Sequence, residues 1–302
     1  MKHSSMKRLS MKRLDVSTLL FLAPWALTLV VFWLYPLGYA LYLSFTKYYT
    51  LRNEAVFVGL SNYAHILHDS FFWQAFQNTA FFSFGTIPFT TALALFLAVV
   101  LHSTPRLQGF FRATMFLPSV TSLIVLALIF SNIYASDGYL TAICRFLHVP
   151  FPVRGWLQDQ ATALPSIMAM DVLIASGYYM VLFLAALQSI PHDLYEVAAL
   201  SGATAWQQFW RITLPMLRPT VLFVLVVNTI RAFQIFVEIY VMTRGGPLGS
   251  TTTLIYSIYA NAFDKSDMMG YACALAYIVF VIVLLFSLAQ MWLLRANKAV
   301  GE

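Results

Sequence analysis

Residues Ile190–Pro219 read IPHDLYEVAALSGATAWQQFWRITLPMLRP and lie between two long apolar runs. Asp193 followed three residues later by Glu196 is a capping-box pattern, and Thr204 followed by Gln207 is a second one. Each pattern marks the start of a helix, so the stretch predicts two short helices.

The ends of these helices are also marked. Gly202 lies between the two patterns, where a residue in the left-handed conformation would end the first helix. Pro215 and Pro219 are expected to close the second, because the residue before a proline disfavours the helical region. Helices shorter than about 12 residues are marginal in water on their own. The pair is therefore expected to dock against a partner.

The composition predicts an all-α, polytopic membrane protein. Of the 302 residues, 60% are hydrophobic and only 10% are charged, whereas soluble domains carry about 25% charged residues. The apolar residues come in runs long enough to cross a bilayer, which takes about 20 residues. The net charge of +6 is scattered among these runs, so orientation in a lipid bilayer explains it better than binding of nucleic acid.

Residues 16–294 are predicted to form one transmembrane domain with about six spans. Residues 1–15 and 295–302 are predicted tails, and residues 190–219 a loop between spans. The first apolar run is too long for an ordinary signal peptide, and Pro24 and Pro36 are expected to kink or shorten it. The predicted spans are about Val16–Phe45, Thr79–Leu101, Thr114–Tyr134, Ala163–Ser189, Thr220–Met242 and Tyr271–Leu294.

Basic residues predict the orientation, since cytoplasmic segments carry an excess of Lys and Arg. With both termini inside, the inner segments hold eleven basic residues: Lys2, Lys7, Arg8, Lys12, Arg13, Arg106, Arg112, Arg211, Arg218, Arg295 and Lys298. The outer segments then hold six, namely Lys47, Arg52, Arg145, Arg154, Arg244 and Lys265. Both termini and the 190–219 loop are therefore predicted to be cytoplasmic.

No catalytic or metal-binding constellation is visible in the sequence. Cys144 and Cys273 have neither disulfide nor metal spacing, and His65 and His68 have no third ligand nearby in sequence. Phosphate-loop, G-x-S-x-G and H-E-x-x-H motifs are missing. We therefore expect no catalytic residues, metal or cofactor in this chain, and no hydrolysis of ATP by it.

Charged residues inside predicted spans are expensive and usually face a cavity or a partner. Asp171, Arg231 and Glu238 are such residues. Asp171 lies about eight residues, and Arg231 about eleven, from the predicted outer ends of their spans. At about 1.5 Å per residue these depths are similar, so the two side chains are predicted to be able to meet.

A polar stripe extends from these charges. On a helical wheel Asn228, Arg231, Gln234 and Glu238 fall within an arc of about 120°, and Tyr178 shares a face with Asp171. The stripe is either a structural ion pair with polar neighbours or the lining of a solute path. Hydroxyl, amide and aromatic groups suit a neutral polyhydroxylated solute, whereas Arg231 would suit an anion such as a phosphorylated polyol.

The loop also resembles a known motif. Glu196-Val197-Ala198, three residues, Gly202, nine residues and then Ile212-Thr213-Leu214-Pro215 resemble the EAA loop of ATP-binding-cassette importer permeases. Segments 110–119 (FFRATMFLPS), 184–191 (LAALQSIP), 243–247 (TRGGP) and 251–263 (TTTLIYSIYANAF) are similar to the carbohydrate-uptake branch of that family. Nearly the whole chain is covered, and the layout is like that of the first of two permease subunits.

The resemblance implies an ATP-driven importer subunit that moves a sugar or related solute by alternating access. Its implied partners are a second homologous permease, two cytoplasmic ATPase subunits that bind ATP and Mg, and an extracytoplasmic solute-binding protein. The loop would be a coupling-helix element that docks on an ATPase. The coupling residues implied are Glu196, Ala198, Gly202, Ala203, Ile212, Leu214 and Pro215, with Trp206, Phe209 and Trp210 forming an apolar face.

Two residues depart from the family pattern. Val197 replaces the usual second small Ala, and Ser201 stands where Asp is typical. Both changes fall in the part of the loop that would meet the ATPase, and their effect on that contact is left open.

Two other functions are considered. An ion-coupled secondary transporter would use Asp171, Arg231 and Glu238 as an ion relay. An intramembrane enzyme would need a nucleophile and a base, and no such set is visible in the sequence.

Overall fold

The fold is described from a computed structural model, which describes residues 16–49, 54–104 and 108–296. The predicted tails lie outside these ranges, except that the last helix continues to Ala296. Arg52 and Arg106, which contribute to the predicted orientation, also lie outside them.

The described chain is almost entirely helical. Its elements in order are α1 (Val16–Leu29), a π-helical turn (Val30–Leu34), α2 (Tyr35–Ser44), β1 (Thr46–Tyr49), β2 (Glu54–Phe57), α3 (Ser61–His68), α4 (Ser70–His102), α5 (Gln108–Val120), α6 (Leu123–Ile133), α7 (Tyr139–Phe146), α8 (Ala163–Gln188), α9 (Asp193–Leu200), α10 (Ala205–Gln208), a π-helical turn (Phe209–Thr213), α11 (Leu214–Met216), α12 (Arg218–Phe233), α13 (Val237–Met242), α14 (Leu254–Tyr259), a π-helical turn (Ala260–Asp264) and α15 (Met269–Ala296).

Five helical segments of the described chain are long and apolar enough to cross a membrane, and a sixth is bent. The five are Leu20–Ser44, Ser70–His102, Ala163–Gln188, Arg218–Met242 and Met269–Trp292. Each overlaps one of the six predicted spans, so five of the six are confirmed as helices of sufficient length and hydropathy. The second differs most from its prediction, since α4 begins nine residues before the predicted start at Thr79.

The third predicted span is not one straight helix. Gln108–Val120 and Leu123–Ile133 are bent by 98° at Thr121–Ser122. Pro118 cannot donate the backbone hydrogen bond that would continue the ladder, and Thr121 N–H instead donates to the Pro118 carbonyl over 3.2 Å. The predicted span from Thr114 to Tyr134 is therefore present as a bent pair of helices, and that this pair crosses the membrane as one span stays a prediction.

Two prolines are accommodated by π-helical turns and do not end their helices. Val30–Leu34 precedes Pro36, and Phe209–Thr213 precedes Pro215. In each turn a backbone N–H donates to the carbonyl five residues earlier. Tyr35 donates to Val30 in the first turn, and Leu214 donates to Phe209 in the second. The wider turn accommodates a residue that has no N–H and whose ring would clash with the preceding turn.

The core of the helical body is formed mainly by α4, α8 and α12. Small residues such as Ala94, Ala98 and Ala175 pack there against the buried rings of Tyr179 and Phe183. Helix α5 approaches α8 at Gly177, where a Cβ atom would overlap the Met115 carbonyl. Close packing of α5 on α8 therefore depends on glycine at this position, and this contact places the bend of the third span beside α8.

A small hairpin follows the first span and was not expected for an all-α chain. Strands β1 and β2 pair antiparallel, with Thr46 opposite Phe57 and Tyr49 opposite Glu54. The amide of Asn62 donates to the carbonyls of Ser44 (2.8 Å) and Thr46 (2.9 Å), which ties α3 to the start of the hairpin.

The side chains considered for a disulfide or metal have other surroundings. Cys144 is buried and Cys273 half-buried, and both are free thiols. His65 packs edge-on against Tyr271, and a ring nitrogen of His68 lies 2.8 Å from the Ala64 carbonyl.

Candidate transport pathway and coupling loop

The fifth span is interrupted where its polar residues lie. Helix α12 ends at Phe233 and α13 begins at Val237, with Phe236 in a non-helical conformation (φ −143°, ψ −55°). Non-helical backbone at membrane depth is tolerated where it is buried in protein or lines a cavity. The break places Arg231 at the end of one half-helix and Glu238 at the start of the other.

Three charged side chains meet at this break and are called the polar cluster: Asp171, Arg231 and Glu238. Arg231 Nη2 lies 2.7 Å from Asp171 Oδ1 and 3.7 Å from Glu238 Oε1. The side chains of Asp171 and Glu238 are 3% and 5% exposed, whereas that of Arg231 is 35% exposed. The predicted contact between Asp171 and Arg231 is confirmed, and Glu238 extends it.

The ion pair joins span four to span five in a largely buried setting. Removing one partner of a buried pair leaves an uncompensated charge and typically costs about 3–5 kcal/mol. Asp171 Oδ2 has no hydrogen-bond partner among the described residues. The cluster thus holds the helices together and still contains an unsatisfied acceptor.

A cavity of about 290 Å³ opens on one side of the cluster and is called the central cavity. The bend of the third span, α8 and α12 form its wall. Tyr178, one of the predicted pathway residues, is 44% exposed. The lining residues are Pro118, Ser119, Thr121, Leu123, Ile174, Ala175, Tyr178, Tyr179, Val227 and Arg231.

A smaller cavity of about 120 Å³ shares Leu123 and Arg231 with the central cavity. Asp171, Glu238 and the exposed Gln234 line it. Five of the six predicted pathway residues therefore lie on two neighbouring cavities.

Asn228 is the sixth and lines neither of these cavities, so its place on the pathway stays a prediction. Its side chain is fully buried, and its amide donates to the Ile87 carbonyl at 3.5 Å, across the interface between α12 and α4. The helical wheel puts Asn228 within the same arc as Arg231 and Gln234, but α4 packs against α12 at the level of Asn228.

A contact that the sequence did not predict holds the break in place. The buried Thr253 hydroxyl donates to the Ile235 carbonyl at 3.2 Å, and the next residue, Leu254, donates its N–H to Thr79 Oγ1 at 2.9 Å. A buried carbonyl at an interrupted helix needs such a donor. The segment after the fifth span thus links α4 to the break, and the threonine run at 251–253 was the available signal.

The coupling loop, residues 190–219, begins with a helix that starts differently from the prediction. Asp193 is the first residue of α9 and not its N-cap, and no side chain caps this helix. Glu196 instead accepts from the ring of His192, four residues earlier, at 3.0 Å. The first capping-box prediction is therefore wrong, because the chain enters the helix one residue earlier, at His192.

The end of α9 follows the prediction closely. Gly202 has φ +77°, and its N–H donates to Ala199 while the N–H of Ala203 donates to Ala198 over 3.0 Å. This is the Schellman arrangement that ends helices at glycine. Ala198, Gly202 and Ala203, three of the implied coupling residues, therefore also build the turn between the two helices.

The second helical part combines a confirmed start with a corrected end. Thr204 and Gln207 form the predicted reciprocal capping box, at 2.9 and 3.3 Å. Pro215 does not close the helix, because the π-helical turn before it lets the chain continue to Met216. The hydroxyl oxygens of Tyr195 and Thr213 lie 2.9 Å apart and connect α9 to that turn.

Much of the coupling loop remains uncovered in the isolated chain. Leu200 is 90% exposed, and Trp206 packs on Phe209 and Trp210 with one face free. Glu196 and Gly202 are exposed, whereas Ala198, Ala203, Ile212, Leu214 and Pro215 are half-buried. An apolar surface of this kind on a short helical pair is typical of an interaction site.

The two departures from the motif are joined by a local hydrogen bond. The Ser201 hydroxyl donates to the Val197 backbone carbonyl at 3.0 Å, a bond that an ionised Asp could not donate. The same carbonyl also accepts from the Ser201 N–H at 3.1 Å, so the hydroxyl adds a second bond at the helix end, where the family typically places an acidic residue.

Comparison with known proteins identifies the family. The profile of the "Binding-protein-dependent transport system inner membrane component" family matches residues 90–297, which include both the polar cluster and the coupling loop. The lactose transport system permease protein LacF of Rhizobium radiobacter is 36% identical over 296 residues, 96% of this chain and 98% of that protein.

Two solved structures share the fold. One is a crystal structure of a bacterial ABC transporter involved in the import of the acidic polysaccharide alginate, with a TM-score of 0.81 at 20% identity, covering 92% of this chain and 94% of that one. The other is a bacterial alginate ABC transporter in complex with an alginate pentasaccharide-bound periplasmic protein, with a TM-score of 0.78 at 22% identity, covering 90% and 91%.

These matches favour the importer hypothesis over an ion-coupled carrier or an intramembrane enzyme. They run through the coupling loop and through both half-helices at the break. The chain belongs to the family of inner-membrane components of binding-protein-dependent transport systems.

Proposed function

We propose that the chain is the permease subunit of an ATP-driven importer that moves a sugar or related polyhydroxylated solute by alternating access. The observation that carries the proposal is the match to a lactose permease over 96% of this chain. The polar and aromatic lining of the central cavity suits a solute rich in hydroxyl groups.

The coupling loop is proposed to dock on a separate ATPase subunit. Its exposed apolar side chains need a partner, and the Schellman turn at Gly202 leaves open space where a Cβ would project. A phosphate loop is absent from the sequence, so ATP and Mg are assigned to two cytoplasmic ATPase subunits. Closure of those subunits would move the spans through this loop.

The remaining partners follow from the same reading. A second homologous permease subunit would complete the pathway, as the two-permease layout that the sequence resembles implies. An extracytoplasmic solute-binding protein would deliver the solute, and one alginate transporter structure contains such a periplasmic protein. The excess of basic residues in the inner segments supports cytoplasmic termini.

The proposal is tested by reconstituting this chain in vesicles with its second permease, ATPase and solute-binding protein. Radiolabelled saccharide should enter only when ATP and the ATPase are present, and an uncoupler should have no effect. A Glu196→Lys variant should insert into the membrane and lose ATPase association or transport. Uptake that persists without the ATPase and collapses with an uncoupler would overturn the proposal.

A further inference from the structure

We propose that the polar cluster makes this pathway selective for uncharged saccharides and unfavourable for anionic ones. The proposal rests on the proposed function, since it names the class of solute that the same site accepts. Asp171 and Glu238 are assigned as the residues that determine this specificity.

The first argument is the charge of the two cavities. The charged residues that line them are Arg231, Asp171 and Glu238, and the other titratable groups there are the hydroxyls of Tyr178 and Tyr179. One guanidinium against two carboxyl groups leaves no net positive charge, and a formal charge of −1 when both carboxyls are ionised. A carboxylate or phosphate that entered would thus meet no net positive charge, and charges in a low-dielectric site act more strongly than in water.

The second argument is that Arg231 is already engaged. A guanidinium binds a carboxylate or phosphate best through two parallel hydrogen bonds. Arg231 directs Nη2 at Asp171 over 2.7 Å, with Glu238 at 3.7 Å. An anionic solute that reached the remaining N–H groups of Arg231 would meet a guanidinium whose charge is already balanced by Asp171, so the attraction would be weak. Arg231 is therefore not a free anion receptor, which decides against a phosphorylated polyol.

The third argument is the surplus of hydrogen-bond acceptors along the cavities. The Ser119 hydroxyl donates to the Phe116 carbonyl at 2.6 Å and the Thr121 hydroxyl to the Leu117 carbonyl at 2.9 Å. Both hydroxyls have thus used their only proton and retain acceptor capacity. Sugar hydroxyls can donate to these two oxygens, whereas an ionised carboxylate or phosphate brings mainly acceptors. Asp171 Oδ2, a buried acceptor without a partner among the described residues, does not contact a solute directly and adds only to the negative potential.

The charge of the cavity can be measured directly. In a Cys144→Ser/Cys273→Ser background, Thr121→Cys places a thiol on the wall of the central cavity. The assembled importer is then treated with cationic and anionic methanethiosulfonate reagents of similar size. The labelling rate of each reagent is divided by its rate with a free thiol in solution, which removes the difference in their intrinsic reactivity. We expect the cationic reagent to be favoured by about fivefold or more, which is the ratio for a unit negative charge about 8 Å away even at the dielectric constant of water.

Two further variants assign that preference to the cluster. Glu238→Gln should reduce the preference towards unity, and Asp171→Asn/Glu238→Gln should reverse it, because Arg231 is then unpaired. An equal or anionic preference in the parent protein would overturn the proposal. So would a cationic preference that both variants leave unchanged. If the double variant fails to assemble, the parent protein and the Glu238→Gln variant still test the proposal.

The same importer then compares uptake of the saccharide that its binding protein accepts with uptake of the corresponding uronic acid. Uptake of the neutral form should be at least about tenfold faster, and equal uptake would overturn the proposal. Because labelling involves no saccharide, the absence of ATP-dependent uptake would count against the proposed function and leave the measured cavity charge standing.

Discussion

Arg231 Nη2 lies 2.7 Å from Asp171 Oδ1, so that one ion pair connects span four to the broken part of span five. Arg231 also borders the central cavity and Asp171 the smaller one. The sequence left a structural ion pair and a solute path as alternatives, and this geometry is compatible with both roles in the same residues.

The structural part of that role gives the first prediction. Arg231→Gln should lower the stability of the purified complex by about 3 kcal/mol, the lower end for a buried pair, because the guanidinium is partly exposed. Arg231→Gln/Asp171→Asn should recover part of this loss, since neither charge is then left alone. Thermal unfolding of the four members of the cycle measures the coupling, and strictly additive losses would show that the pair contributes nothing.

The second prediction separates two members of the polar stripe. Asn228 is buried against α4 with a 3.5 Å bond to Ile87, whereas Gln234 is exposed on the smaller cavity. Asn228→Ala should therefore reduce the amount of assembled complex, and Gln234→Ala should change uptake while assembly stays normal. Quantifying complex yield and initial uptake rate for both variants tests this, and the opposite distribution of effects would contradict the assignment.

The third prediction concerns the hydrogen bond that holds the break. Thr253→Val keeps the shape of the side chain but leaves the buried Ile235 carbonyl without its donor, which typically costs about 1–3 kcal/mol. We expect lower thermal stability and a shift in the solute concentration that gives half-maximal uptake. Thr253→Ser retains the hydroxyl and serves as the matched control. Equal behaviour of the valine and serine variants would show that the hydroxyl does not position the break.

Sequence periodicity was sufficient for features that depend on local chemistry. The apolar runs, the capping box at Thr204 and the helix end at Gly202 are each decided within a few residues, and the structure agrees with all three. The contact between Asp171 and Arg231 could also be predicted, because the number of residues between each side chain and the end of its span gives its depth in the bilayer.

Features that depend on neighbouring helices were not accessible in this way. The 98° bend of the third span and the burial of Asn228 are set by packing against α8 and α4. Likewise, Pro215 marks a helix end in sequence statistics, but a π-helical turn removes its clash. Pro118 and the polar residues after it were a visible signal for the bend, whereas the donor at Thr253 lies 18 residues from its acceptor.

The fourth prediction concerns the turn in the coupling loop. Gly202 has φ +77° and open space around it, so a side chain there strains the backbone and also projects from the exposed loop. Gly202→Asn tolerates this conformation better than Gly202→Asp or Gly202→Ala. If the projecting side chain blocks docking, all three variants should lose ATPase association while inserting normally. Full recovery in the asparagine variant alone would assign the effect to backbone strain.

The fifth prediction concerns the link between the two halves of the same loop. Tyr195→Phe removes the 2.9 Å bond to Thr213 at a cost of about 1 kcal/mol. The ATPase should still bind, but more ATP should be hydrolysed for each solute carried, because motion of α9 reaches the fifth span less directly. The ratio of ATP hydrolysed to solute imported in vesicles measures this, and an unchanged ratio would show that the bond plays no part in transmission.

The most direct measurement of the central claim is uptake of labelled saccharide into vesicles that hold the complete importer, with and without its ATPase. The account predicts uptake that needs ATP, the ATPase and the binding protein, that is insensitive to an uncoupler and that Glu196→Lys abolishes. Uptake driven by an ion gradient in the absence of the ATPase would contradict it.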